Sequence, residues 1–206
     1  MSMARPGWGK PGAYTSTNLN KHTNPNPLQQ WLLARFHRAA AGLLSQTSSR
    51  NILDAGCGEG IAMRHLLADQ AGVIGLDGSV GALQVASVLN PRRDFAAGYL
   101  PDLPFPSRSF DLVVCMEVLE HLDDPEAGLA ELCRVSRRAL LLSVPNEPLF
   151  RGANFLRGKN VHAWGNDPGH VNHWSSQAFI RFASIQCRVI SWRTSFPWTL
   201  ALCHVD

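Results

Sequence analysis

Ile52-Leu53-Asp54-Ala55-Gly56-Cys57-Gly58-Glu59-Gly60 is the stretch on which the fold turns. Its first four residues read as a short apolar strand, and the glycines after it as a sharp turn into a helix. Glycine adopts turn conformations that a Cβ would hinder and lets a ligand approach the backbone. A GxGxxG fingerprint would put its third glycine at position 61, where Ile61 stands, so the spacing here is GxGxG. Asp54 places a carboxylate just before the turn, where a pyrophosphate would be repelled and a cationic group welcomed. The bland alternative is a tight strand-to-helix turn with a capping aspartate.

Working outward, the chain alternates. A helix is expected over 60–69, a strand over 72–77, a helix over 80–89 that stops before Pro91, and a weak strand over 94–98. A Pro-rich loop leads to a strong strand over 110–116, a helix over 125–137 and a strand over 139–144. Such alternation implies βαβ units: an α/β, doubly wound, mostly parallel sheet with helices on both faces. Asp77 would close the second strand at the switch-point edge, where a carboxylate can accept both hydroxyls of a ribose. From Pro145 the rhythm breaks, and 145–174, rich in proline and glycine, reads as an inserted lid. A helix over 175–184 and strands over 187–194 and 198–204 follow. The Ser195-Phe196-Pro197 connection is too short for a crossover, so the last strand should run antiparallel.

Upstream, the first 27 residues read as an irregular arm, and a helix is expected over 28–44 with Pro27 at its start. Residues 1–50 form an arm and lid helix, and 51–206 one main domain. The helix carries Trp31, Leu32, Phe36 and Leu43 at helical spacing and must bury that stripe. Residues 14–36 are expected to close over the ligand edge, with His22 and Asn24 offering hydrogen bonds and Trp31 packing near the pocket. A helix docked on the sheet's flank behind a loose arm is the rival reading.

The chain has 206 residues, 45% of them apolar and 17% charged, which supports one ordinary core and excludes wholesale disorder. A formal charge of +3 is too weak to argue nucleic-acid binding. Five cysteines without a CxxC pair suit reduced thiols rather than a disulfide frame or zinc site. No apolar run suits a signal peptide or membrane span, so a cytoplasmic chain is expected.

Leu53-Asp54-Ala55-Gly56-Cys57-Gly58-Glu59-Gly60, Gly75-Leu76-Asp77-Gly78-Ser79, Leu103-Pro104-Phe105-Pro106 with Ser109-Phe110-Asp111, and Cys115-Met116-Glu117-Val118-Leu119-Glu120-His121 together resemble class I S-adenosylmethionine-dependent methyltransferases of the methyltransferase-11-like group. The resemblance implies a Rossmann-like fold, S-adenosyl-L-methionine as cofactor, and methyl transfer as the reaction. It implies that Asp54, Gly56, Cys57, Gly58 and Gly60 surround the methionine part, that Asp77, Gly78 and Ser79 hold the ribose, and that Tyr99 and Leu100 flank the adenine. Met116, Glu117 and His22 complete the expected cofactor surroundings. Relatives often carry Gly-Asp where this chain has Gly98-Tyr99, so adenine contact here would be stacking or main-chain.

Read as one helical turn, Glu117, Glu120 and His121 share a face. A similar cluster binds a metal in small-RNA 2′-O-methyltransferases and ubiquinone-pathway O-methyltransferases, whereas most relatives use it to shape the pocket. A divalent ion on Glu117, Glu120 and His121, or a base at His121, are the alternatives. In the lid, His162, Trp164, His170, His173 and Trp174 suit a substrate wall, and His170 or His173 can meet His121 as base or further ligand. Structural histidines are the rival reading. Pro148 to Lys159 mixes apolar and cationic residues, as a lid or as a contact for a lipid-like or phosphate-bearing substrate. The expected acceptor is a small molecule or lipid-like intermediate at O, N or C. RNA 2′-O-methylation and a non-catalytic cofactor-binding module stand as alternatives, and a nicotinamide oxidoreductase is disfavoured by the missing glycine.

Overall fold

The computed structural model describes residues 17–147 and 170–206. Five strands follow the expected alternation: β1 (Ile52–Ala55), β2 (Val73–Asp77), β3 (Asp94–Ala97), β4 (Phe110–Met116) and β5 (Ser136–Pro145). With β6 (Arg188–Ser195) and β7 (Trp198–His204) they form a seven-stranded sheet in the order β3-β2-β1-β4-β5-β7-β6. Strands β1 to β5 pair in parallel, and β7 runs antiparallel to both β5 and β6. The strand order reverses between β1 and β4, which opens a crevice at their carboxyl ends.

Alternate residues of each strand feed two cores. Leu53, Val113, Cys115, Leu140, Leu142, Ala201 and Cys203 face one side, where α5 (Pro125–Val135) brings Leu129 and Leu132 and α6 (Ser176–Ala183) brings Phe179 and Phe182. Ile52, Leu112, Val114, Leu141, Leu200 and Leu202 face the other, under α2 (Pro27–Leu44) and α3 (Ile61–His65). This period of two, buried on both faces, is what a sandwiched parallel sheet requires. Helix α4 (Val80–Leu89) starts at Ser79, whose hydroxyl accepts from the Ala82 N–H at 3.2 Å. No helix among the described residues is long and apolar enough to cross a membrane.

The structure differs from expectation in several places. The arm is not irregular throughout: α1 (Thr17–Thr23) is helical although its sequence has no apolar period. On α2 the buried face is Leu33, Phe36, Ala40, Leu43 and Leu44, so Trp31 lies on the opposite face, 53% exposed beneath the Arg35 guanidinium. Trp31 therefore does not pack near the pocket. Helix α3 stops at His65 rather than 69, and beyond its end the Leu67, Ala68 and Gln70 carbonyls accept from the Arg93 guanidinium at 2.6–2.8 Å instead of from helical N–H groups. Helix α5 gives way directly to β5, which begins at Ser136 rather than 139.

Phe179 is fully buried with Trp174 beside it, their ring centroids 6.0 Å apart. Phe179→Ala should cost about 3–5 kcal/mol of stability in urea unfolding through transfer and cavity terms together. A loss below about 1 kcal/mol would show that α6 adds little to the core.

Candidate functional site

The carboxyl edge of the sheet gathers the residues that the sequence singled out. Strand β1 ends in the glycine loop, and Gly56 sits at φ 77°, where L side chains are rarely found. A Cβ there would also strike the Val118 side chain, so Gly56 lets the segment after β4 close directly onto the loop. Asp77, at the end of β2, accepts from the Gly58 N–H and from the Ser79 N–H, each at 2.8 Å. A carboxylate has about four acceptor sites, so two such bonds leave capacity for ligand hydroxyls. Gly78 lies under the Tyr99 ring, with which any Cβ would collide. Tyr99, 49% exposed, thus stands as an aromatic wall beside Asp77, and Leu100 packs inward against the core.

Asp54 differs from its neighbour. It is buried at 2% exposure, and its Oδ2 has no hydrogen-bond partner. Burial, and secondly the Asp77 charge, pushes its carboxyl up to about 7. A buried acceptor without a donor, just before the glycine loop, fits a cationic ligand group. Cys57 is buried, and burial with the two nearby carboxylates holds its thiol far above the usual range, so it is no nucleophile. Gly60 caps α3, and Asn90, which the sequence did not flag, donates from Nδ2 to the Gly60 carbonyl at 3.2 Å.

Across the crevice the segment after β4 departs from the helical turn considered above. Met116 ends the strand, Glu117 takes a left-handed φ of 60°, and a 3₁₀ turn follows at Leu119–His121. Glu117 therefore does not share one regular helical turn with Glu120 and His121. Its carboxylate accepts from Ser143 Oγ at 3.1 Å and from Trp198 Nε1 at 2.7 Å. The residue that joins Glu120 and His121 is His170: the three place candidate ligand atoms within 4.8 Å of one another. His121 and His170 meet edge to face at 5.0 Å. His173 lies further out, with Nδ1 3.5 Å from Glu147 Oε1. Of the expected lid, 148–169, including His162 and Trp164, lies outside the described residues.

The arm also reaches this edge. Leu19 N–H donates to Glu59 Oε2 at 2.9 Å, and Glu59 is buried within the glycine loop. His22 stacks on His37 at 5.3 Å and on His65 at 5.9 Å, so it binds α1 to α2 and α3. Asn24 spends its side chain locally, accepting from the Asn26 N–H. A separate cleft of about 660 Å³ opens at the opposite edge, where Arg50, Arg137 and Arg138 surround Asp111. There Asp111 already accepts from the Arg50 and Asn51 N–H groups and from Arg137, and it is no part of this site.

Comparison with known proteins decides the family. The Methyltransferase domain family matches residues 53–141. A chain of Mycolicibacterium smegmatis named as an S-adenosylmethionine-dependent methyltransferase is 40% identical over 111 residues, 52% of this chain and 43% of that one. The ubiquinone biosynthesis O-methyltransferase of Alkalilimnicola ehrlichii is 30% identical over 166 residues, 71% of this chain and 66% of that one. This chain belongs to the class I S-adenosylmethionine-dependent methyltransferases. Magnesium protoporphyrin IX methyltransferase of Synechocystis PCC 6803, solved with bound SAH, shares the fold at TM-score 0.66 and 19% identity, over 92% of each chain. The methyltransferase chain spans only about two fifths of the first relatives it matches, 43% and 40% of their lengths.

Two pH effects follow for this methyltransferase. A cationic ligand favours ionised Asp54, so cofactor binding must displace its proton below pH 7. Affinity for S-adenosylmethionine should therefore fall up to about tenfold per unit below pH 7 and level off above it. Titration calorimetry on the wild type and Asp54→Asn checks this, because the variant should lose that dependence. Burial, and secondly the His65 charge, lowers His37 from 6.5 to about 4, so folding favours the neutral His37 ring. Its stabilisation is full above pH 6.5 and lost as pH falls towards 4. Amide protection of residues 17–23, corrected for intrinsic exchange, should drop between pH 7 and pH 5.

Proposed function

We propose that this chain moves the methyl group of S-adenosyl-L-methionine to an oxygen of a small-molecule or lipid-like acceptor. The observation that carries the reading is the meeting of Glu120, His121 and His170 across the crevice from the glycine loop, with Val118 packed on Gly56 between them. The name of the Alkalilimnicola relative, a ubiquinone biosynthesis O-methyltransferase, supports an oxygen acceptor.

In this reading the backbone of Gly56 to Gly60 cradles the methionine part, with Asp54 facing its cationic group and Cys57 closing the loop from beneath. Asp77, with Gly78 and Ser79, holds the ribose, and Tyr99 stacks beside the adenine. Methyl transfer is an in-line displacement at the sulfonium methyl carbon: the bond from the acceptor oxygen to carbon forms as the carbon–sulfur bond breaks, and the step depends on positioning and exclusion of water. The arm supplies cover through its Leu19–Glu59 bond and the His22 stack. A hydroxyl acceptor must also lose a proton, and His121 and His170 stand where a side chain can take it.

The same cluster supports a second reading, favoured by the convergence of one buried carboxylate and two imidazoles. Glu120, His121 and His170 would hold a divalent ion, which would polarise the acceptor oxygen and ease loss of its proton. The ligand atoms that gather among the described residues are those of Glu120, His121 and His170, while the Glu117 carboxylate accepts from Ser143 and Trp198.

Transfer of labelled methyl from S-adenosylmethionine should appear with hydroquinone or catechol acceptors and not with total RNA. His121→Ala and His170→Ala should each lower kcat about 100-fold or more while SAH affinity stays within about twofold. Rate lost in chelator and restored by Mg²⁺ or Mn²⁺ selects the metal reading, and an unchanged rate selects the base. Methylation of RNA alone, abolished by periodate oxidation of its ends, would overturn the small-molecule acceptor.

A further inference from the structure

We infer that Glu147 is a positioning residue that fixes the tautomer and the aim of the His170 ring. The inference rests on the reading that the Glu120–His121–His170 cluster handles the acceptor. Nothing in the motifs of the chain marks Glu147: it follows Asn146 at the point where β5 leaves the sheet, 23 residues before His170.

The geometry is specific. Glu147 is 3% exposed and His170 9%, and Nδ1 of the imidazole lies 2.6 Å from Oε1 of the carboxylate. A carboxylate can only accept, so Nδ1 carries the proton, and in the neutral form of the ring the lone pair is then on Nε2, the nitrogen that a base or a cation ligand must use. The ring is also held from behind. Val171 and Asn172 donate their N–H groups to the Glu120 carbonyl at 2.9 and 3.0 Å, and Asn172 Nδ2 donates to the Leu122 carbonyl at 2.6 Å. The backbone after His170 is thus bound to the 3₁₀ turn that carries Glu120 and His121. The backbone of Glu147 is bound too, its N–H donating to the Trp174 carbonyl at 3.0 Å. With both backbones held, the Glu147–His170 bond acts on the orientation of the imidazole beside His121.

The arrangement is costly for stability alone. Glu147 buries a carboxylate whose Oε2 has no hydrogen-bond partner, and desolvation of such a group is repaid only in part by one bond. His173 approaches the same Oε1 at 3.5 Å and is far more exposed, so it completes the surroundings without fixing the ring. A buried acid that orients an imidazole through Nδ1 leaves the opposite nitrogen for chemistry, whether that is proton transfer or metal binding.

The test uses the full chain labelled with ¹⁵N and two-bond ring correlation spectra, with His170→Asn for assignment. Wild type should show His170 as the Nδ1–H tautomer. Glu147→Met fills the volume without an acceptor and should convert the ring largely to Nε2–H. It should also lower kcat about 10–100-fold with the KM for S-adenosylmethionine unchanged. Glu147→Gln keeps an acceptor and should retain the Nδ1–H form and most of the rate, which also serves should the Met variant fail to fold. An Nε2–H ring in wild type, or a Met variant with unaltered spectrum and kcat, would overturn the inference. Full activity in His170→Ala would instead sink the acceptor reading, while the spectra still decide whether Glu147 sets the ring.

Discussion

The Asp77 carboxylate ties together two turns that leave the sheet from different strands. One oxygen takes the Gly58 N–H after β1, the other the Ser79 N–H after β2. Charge-assisted bonds of this kind are among the stronger that a protein makes, and here they act at the switch point of the sheet. The glycine loop takes its shape against this carboxylate, α4 starts from it, and Tyr99 stands beside it over Gly78. The rest of the crevice is built outward from that fixed corner.

Two aspartates on neighbouring strands thus do opposite things. Asp77 is satisfied by backbone donors and keeps spare acceptor capacity, whereas Asp54 is buried with an unmatched oxygen. The difference comes from where the chain turns. Asp77 ends its strand and reaches the N–H groups of two turns, while Asp54 lies one residue further back, inside the sheet. In the proposed reading, the uncharged hydroxyls of a sugar and a cationic amino-acid end would meet acids in correspondingly different states.

Much of this was legible in the sequence. The bounds of β4 and β7 fall where apolar alternation put them, and the antiparallel end of the sheet follows from the short Ser195–Pro197 link. Asp54, Asp77 and the glycines could be placed on one edge because strand ends and turn residues are local signals. What escaped depends on partners distant in the chain. Helix α1 has no apolar period, and Leu19 with Glu59 and His22 with His37 and His65 tie it to the body. Glu117 looked like a partner of Glu120 because spacing assumes a helical turn, and its left-handed φ breaks that assumption. Glu147 carries no pattern at all; its meaning appears only when His170 lies against it.

The two ends of the excursion between β5 and α6 are stapled to each other. Asn146 bridges Trp174, Glu147 bonds both Trp174 and His170, and Asn172 grips the turn after β4. Because the staple belongs to the body of the protein, it fixes where the chain leaves the sheet after β5 and where it returns ahead of α6, both beside the turn that carries Glu120 and His121. His170 thus takes its place from a strand end and a turn that lie 23 and about 50 residues away in the chain.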